Sequence, residues 1–176
     1  GLGPDARALV IVTRQYGIND PVLNMDIPNL LIDRGQKVIA LSNLRAHDID
    51  VSIDYPGVVW PFGQHILAGM KLIRRDPRLI AVYLTNHGCG PDAMLSHLVA
   101  EEMGDKPYLQ IEVDEHFSKV GVITRIEAFL NAVAHWKEEE APTRALAHVV
   151  DDEGYASIDD GVRTFIPSVG PYGDII

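Results

Sequence analysis

Cysteine is almost absent from this sequence: Cys89 is the one cysteine among 176 residues. A single thiol excludes an internal disulfide, and it excludes any metal centre whose several cysteine ligands all come from this chain. Proteins that lack disulfides are typical of reducing compartments, so we expect a cytoplasmic protein.

Long apolar runs are missing as well. The longest, such as residues 79–84, fall far short of the roughly 20 residues that span a bilayer. The chain does not open with the basic and apolar regions of a signal peptide. We therefore expect neither a signal peptide nor a membrane as a partner.

Basic residues are scarce, and the net charge is −10. The acidic excess is concentrated in residues 138–160, which hold eight carboxylates and one arginine. Nucleic-acid-binding proteins carry a basic face that neutralises phosphates. The one basic cluster here (Lys71, Arg74, Arg75 and Arg78) lies at the end of a predicted helix, where the helix dipole accounts for it. We therefore predict that the protein does not bind nucleic acid.

Three well-known motifs are absent from the sequence. The loop after the first predicted strand, RQYGIND, lacks the G-x-G-x-x-G pattern of dinucleotide-binding proteins. No G-x-x-x-x-G-K-[ST] occurs, which excludes ATP hydrolysis by a P-loop. No G-x-S-x-G occurs either, which excludes the nucleophile elbow of the α/β-hydrolases.

What the sequence does contain is an alternation of β-branched apolar runs with helical periodicity, typical of α/β proteins. Strands are predicted at residues 7–13, 36–42, 79–85 and 107–113, and helices at residues 27–34, 61–75, 91–103 and after Ser118. A polar loop with Gly17, Asn19, Asp20 and Pro21 is predicted to follow the first strand. The pattern predicts a Rossmann-like, doubly wound, mainly parallel sheet in a three-layer α/β/α domain spanning residues 6–140.

The character of the sequence changes in residues 141–176. Residues 151–160 have the acidic composition of a linker, and residues 163–166 (RTFI) resemble a strand that enters a new loop. We interpret residues 141–176 as an acidic linker and the start of a following α/β half. The chain is therefore predicted to be a fragment of a larger protein.

Candidate site residues follow the predicted strands, because ligands of doubly wound sheets bind outside the carboxyl ends of the strands. The candidates lie in three loops that this fold brings to one edge: Arg14 and Tyr16; Asn86, His87, Cys89 and Asp92; and Asp114, Glu115 and His116.

Cys89 is the strongest of these candidates. Gly88 and Gly90 on either side allow close backbone approach, and Pro91 suits the first turn of a helix. The thiol therefore lies at a helix N-terminus, where the dipole stabilises the thiolate needed for metal ligation or nucleophilic attack. The alternative is a buried, inert cysteine.

Several segments resemble one family closely. TNHGCGPD (residues 85–92), EVDEH (112–116) and GVITR (121–125) match its N-x-G-C-G-P-D, E-x-D-E-H and G-V-I-T-R elements. RQYGINDPVLNMDIP (14–28) matches its R-P-Y-x-I-x-D-P-x-L-N-x-D-I-P run, except for Gln15 in place of proline, and WPFGQHILAG (60–69) fits the helix between. Over residues 7–136 the chain resembles the dehydratase-like region, of unknown function, in the large activator-related proteins of the 2-hydroxyacyl-CoA dehydratase system.

This resemblance implies a function that the chain would serve only with partners. Such proteins join an actin-like ATPase activator domain to Rossmann-like halves that hold an iron–sulfur cluster. Cys89 matches one ligand of a [4Fe–4S] cluster, and the other ligands would lie outside this chain. The implied partners are the remaining domains of the parent protein, the activator domain and an acyl-CoA dehydratase. The implied residues lining the cleft are Arg14, Tyr16, Asn86, His87, Asp92, Asp114, Glu115 and His116.

Three alternatives stand beside this redox module. The first is a small hydrolase or transferase in which Cys89 is the nucleophile and His87 or His116 the base. The second is a mononuclear metal site built from Cys89, His87, His116 and Asp114. The third is a structural interaction domain, in which Cys89 is dispensable.

Overall fold

A computed structural model describes residues 6–86, 88–113 and 118–136, together with the backbone of residues 155–157 and 163–165. The chain divides into two compact units, Gly1–Glu139 and Glu140–Ile176. His87, Asp114, Glu115 and His116 lie outside the described residues.

Strands and helices alternate through the first unit. Their order is β1 (Ala8–Val12), α1 (Gln15–Asn19), α2 (Ile27–Ile32), β2 (Val38–Ala40), α3 (Pro61–Arg75), β3 (Leu79–Thr85), α4 (Gly90–Met103), β4 (Leu109–Glu112) and α5 (Lys119–His135). Two 3₁₀ turns, Leu41–Asn43 and Ala46–Asp48, lie between β2 and α3. None of the helices in the described part of the chain combines the length and apolar character that a membrane span requires.

The four strands form one parallel sheet in the order β2-β1-β3-β4. The two central strands are buried along their whole length, because their apolar residues face helices on both sides of the sheet. Val10 pairs with Ala81 across β1 and β3, and Val82 pairs with Leu109 across β3 and β4. The predicted doubly wound α/β fold is therefore confirmed.

Each face of the sheet packs against its own pair of helices. Alternate residues of β1 and β3, such as Val10 and Tyr83, join α3 and α4 in one apolar cluster. The intervening residues, such as Ile11 and Val82, join α2 and α5 in the other. From β1 the chain crosses to β2 on one side and later returns to β3 on the other. This reversal makes the carboxyl ends of β1 and β3 the topological switch point, where such folds form their ligand crevice.

One helix was not predicted from the sequence. Residues 15–19, predicted as part of a loop, form the short helix α1. The side-chain amide of Asn24, itself buried, donates to the carbonyl oxygens of Gly17 and Ile18 at 3.1 Å each. Asn24 thus satisfies two carbonyl groups near the end of α1. The helix itself is too short to show a helical periodicity in the sequence.

The second unit contains an antiparallel strand pair, β5 (Tyr155–Ser157) and β6 (Arg163–Phe165), in which Tyr155 pairs with Phe165. Strand β6 lies where a strand was predicted. Strand β5 lies inside the acidic segment that was predicted to be a linker.

Helix α3 contacts the first 3₁₀ turn at Gly69. A Cβ atom added there would overlap with Cδ1 of Leu41, whose side chain is fully buried. The overpacking outweighs the gain of about 1 kcal/mol in helix propensity, so we expect Gly69→Ala to lower the free energy of unfolding by about 1–2 kcal/mol. Urea unfolding measures this change.

The matched control for this substitution is Gly57→Ala, where an added Cβ meets nothing within 4 Å. We expect it to change the free energy of unfolding by less than about 0.5 kcal/mol. Equal effects of the two substitutions would contradict the close contact of α3 with the turn.

Candidate functional site

A crevice opens at the switch point between the ends of β1 and β3. Thr13, Arg14 and Tyr16 line it from the β1 side, and Thr85, Asn86 and Asp92 from the β3 side, around a volume of about 120 Å³. Apolar contacts come from Leu23, Leu84 and Val113. The crevice thus lies at the position that the topology of the sheet favours for a ligand.

An ion pair holds the two sides of the crevice together. Arg14 donates from Nε and Nη2 to Oδ1 of Asp92, at 2.9 and 2.7 Å. The second carboxylate oxygen, Oδ2, accepts from the backbone N–H of Asn86 at 3.2 Å. Asp92 is only 5% exposed, so these bonds supply what water would otherwise give to a buried carboxylate. Its place in the first turn of α4 adds a favourable interaction with the helix dipole.

The guanidinium of Arg14 is fixed in orientation by its surroundings. It lies over the ring of Phe62, with Cζ 4.3 Å from the ring centroid, while Asp92 holds its edge. Partial burial lowers the pKa of Arg14, but the hydrogen bond and negative charge of Asp92 outweigh this effect and raise the pKa above its ordinary value. Arg14 is therefore a permanent cation with a defined direction.

The thiol of Cys89 adjoins this ion pair. Nη2 of Arg14, the same nitrogen that reaches Asp92, donates to Sγ at 2.8 Å. Cys89 is the N-cap residue of α4 and is partly exposed, as expected from the glycines and Pro91 around it. Its backbone N–H donates to the carbonyl oxygen of Asn86 at 3.0 Å, which fixes the turn. The site thus presents a partly exposed cysteine at the start of a helix, with a cation against its sulfur.

The structure brings together five of the candidate residues. Arg14, Tyr16, Asn86 and Asp92 line the crevice, and Cys89 contacts it through Arg14. Tyr16 is 62% exposed at the mouth. The other four candidates, which are His87, Asp114, Glu115 and His116, lie outside the described residues, so their roles stay predictions.

The described residues offer one ligand to an iron–sulfur cluster. Among them, no group of three or more histidine, cysteine, aspartate or glutamate side chains is arranged to hold a metal ion. Clusters of this kind are held mainly by cysteine thiolates, about four to each cluster. The donor set therefore fits one corner of a cluster, with Cys89 as the ligand, and does not fit a complete site.

A pair of buried hydroxyl groups beside the crevice was not predicted from the sequence. The hydroxyls of Tyr83 and Thr85 are closed to solvent and interact with each other, and the Tyr83 hydroxyl also interacts with Ser96. Burial is also the main cause that raises the pKa of Tyr83. A threonine that ends an otherwise apolar strand was the signal available in the sequence.

Two histidines that belong to no cluster of candidate site residues in the sequence lie close together in the structure. His47 and His65 line a second cavity of about 200 Å³ beside the start of α3. Burial lowers the pKa of His65, and the charge of His47 lowers it further. His65 is thus favoured in its neutral form, but no third potential metal ligand joins the pair among the described residues.

Nη2 of Arg14 donates to both Asp92 and Cys89. Substitutions of Arg14 and of Asp92 are therefore expected to change the reactivity of the Cys89 thiol in opposite directions. Loss of the cation in Arg14→Gln leaves the Asp92 carboxylate uncompensated and disfavours the thiolate. In Asp92→Asn the carboxylate is lost, so the positive charge of Arg14 is no longer offset and favours the thiolate. We expect iodoacetamide, at one fixed pH, to alkylate Cys89 about threefold more slowly in Arg14→Gln and about threefold faster in Asp92→Asn than in the wild type.

Local unfolding would expose the sulfur and speed its alkylation in both variants, so changes in opposite directions separate the two causes. Circular dichroism checks that the variants stay folded. Equal alkylation rates in the three proteins would show that the sulfur does not sense the ion pair.

Comparison with models of known protein families, with curated proteins and with solved structures finds no match to this chain.

Proposed function

We propose that this chain is a redox module that supplies Cys89 as one thiolate ligand of an iron–sulfur cluster, completed by cysteines of another unit. The observation that carries the proposal is the 2.8 Å contact between Arg14 Nη2 and Sγ of an accessible cysteine at a helix N-terminus. A thiolate ligand bears negative charge, and both neighbours stabilise it.

Cys89, Arg14 and Asp92 each have a role in this proposal. Cys89 binds the metal, and Arg14 donates to its sulfur, an interaction that tunes the reduction potential of thiolate-ligated clusters. Asp92 orients the guanidinium and offsets its charge, so the site keeps a cation in place without a large net charge. When bound, a cluster here would accept one electron from a reduced donor and pass it to an acceptor.

The resemblance to the 2-hydroxyacyl-CoA dehydratase system supplies the partners of the proposal. In that system an actin-like ATPase activator domain would deliver the electron, and an acyl-CoA dehydratase would receive it. The chain would work beside the other domains of its parent protein, and would have no catalytic activity alone.

A thiol nucleophile is the second candidate function, because the same contact between Arg14 and Cys89 favours it. Covalent catalysis by cysteine needs a thiolate and a neighbouring base. The candidate bases, His87 and His116, lie outside the described residues. The nucleophile would attack the carbonyl carbon of a thioester, form an acyl thioester on Cys89 and release the original thiol, whereas a cluster ligand would form no such adduct.

The direct test measures iron and acid-labile sulfide in the natural polypeptide that contains this sequence, purified without oxygen. We expect the wild type to contain both, and Cys89→Ser to lose them because one of about four thiolate ligands is gone. A matched control, the double variant Cys89→Ser and Ala128→Cys, keeps one thiol in this sequence but places it on the exposed side of α5. It is also expected to lose the cluster.

Two results would contradict the proposal. Equal iron and sulfide in the wild type and Cys89→Ser would remove Cys89 from the ligands and favour a structural domain. No iron in any of the proteins, with a covalent adduct on Cys89 after incubation with a short-chain acyl thioester, would favour the nucleophile.

A further inference from the structure

The two hydrogen bonds from Arg14 to Asp92 leave one motion of the guanidinium open. Nε and Nη2 both donate to the same oxygen, Oδ1, at 2.9 and 2.7 Å. A rotation of the guanidinium about the axis from Cζ to Oδ1 would keep both distances. The same rotation would move Nη2 away from Sγ of Cys89, which it reaches at 2.8 Å. The ion pair alone therefore does not fix the direction of Nη2.

The ring of Phe62 opposes this rotation. Cζ of Arg14 lies 4.3 Å from the ring centroid, so the ring covers one face of the guanidinium. The negative face of an aromatic ring attracts a planar cation that lies flat against it. A tilt of the guanidinium would lose this attraction and drive one edge of the group into the ring. Phe62 thus restrains the motion that the ion pair permits.

Helix α3 holds the ring in place. Phe62 is the second residue of the helix and follows Pro61, whose fixed backbone angle suits the first position. The ring stacks on Trp60, with the centroids 6.5 Å apart and the planes at 26°. It also packs against the apolar cluster that α3 and α4 share. The restraint on Arg14 therefore comes from the packed part of the fold.

The ring also strengthens the effect of the cation on the sulfur. The side chain of Arg14 is 21% exposed, and Phe62 keeps water from one of its faces. Charges act on each other more strongly where water is excluded. Loss of the ring would therefore weaken the influence of Arg14 on Cys89 twice, by freeing the direction of Nη2 and by admitting water.

We infer that Phe62 is a positioning residue for the thiol of Cys89: its ring holds the plane in which Nη2 of Arg14 donates to Sγ. Phe62 acts through Arg14, so the start of α3 controls a sulfur at the start of α4. The part of Phe62 in tuning a bound cluster rests on the proposed function. Its effect on the free thiol does not.

The test measures how fast iodoacetamide alkylates Cys89, the one cysteine of the 176-residue chain, at one fixed pH. We expect Phe62→Leu to react about twofold more slowly than the wild type, because Nη2 then stabilises the thiolate less. Phe62→Tyr keeps an aromatic face and is expected to react at the wild-type rate. Circular dichroism checks that the variants stay folded.

A double variant separates positioning from packing. Arg14→Gln has no cation to position, so we expect the addition of Phe62→Leu to slow alkylation no further. A purely structural role would change the rate by the same factor with and without Arg14. The matched control is Phe129→Leu, the same change in the apolar cluster on the opposite face of the sheet. It is expected to leave the alkylation rate unchanged.

A bound cluster gives a second readout. A donor to a ligand sulfur stabilises the reduced, more negative cluster, so its loss lowers the reduction potential. In the natural polypeptide we expect Phe62→Leu to lower the potential and Phe62→Tyr to keep it. The expected alkylation pattern in a protein that binds no iron would support the inference and contradict only the proposed function.

Three outcomes would overturn the inference. Equal alkylation rates in Phe62→Leu and the wild type would leave the positioning of Arg14 to Asp92 alone. Equal slowing by Phe62→Leu with and without Arg14 would show that the ring acts by another route. A slow Phe62→Tyr variant would show that the shape of the phenylalanine matters rather than its aromatic face.

Discussion

The ion pair between Arg14 and Asp92 determines the arrangement of the sheet's carboxyl edge. It joins the residue that follows β1 to the first turn of α4, across 78 positions of sequence. Asp92 is almost fully buried, and a buried charge without a partner is strongly destabilising. The loops after β1 and β3 must therefore keep a geometry in which the two side chains meet, and that geometry also creates the crevice and places the thiol.

One guanidinium serves three neighbours in this arrangement. Its Nε and Nη2 bind the carboxylate, and its Nη2 also reaches Sγ of Cys89. Phe62 covers its face. The thiol and the crevice are therefore coupled, because Arg14 both lines the crevice and donates to the sulfur. Ligand binding and thiol chemistry at this edge are expected to influence each other.

Local sequence patterns were sufficient to predict most of the fold. Strand β3 and helix α3 begin and end where predicted, because β3 is an unbroken apolar run and α3 lies between Pro61 and the Asp76-Pro77 pair. The position of Cys89 before a helix followed from Gly90 and Pro91. The contacts of Arg14 could not be predicted, since its partners are 48 to 78 residues away. Helix α1 and the burial of the Thr85 hydroxyl likewise depend on tertiary packing.

The measurement that tests this account most directly is a double-mutant cycle between Arg14 and Asp92. Urea unfolding of the wild type, Arg14→Met, Asp92→Asn and the double variant gives the coupling free energy. We expect Arg14→Met alone to cost about 3–5 kcal/mol, because it leaves a buried carboxylate unpaired. The double variant should recover at least about 2 kcal/mol of the summed loss. A coupling below about 0.5 kcal/mol would show that the two residues act independently, and would contradict an edge organised by their ion pair.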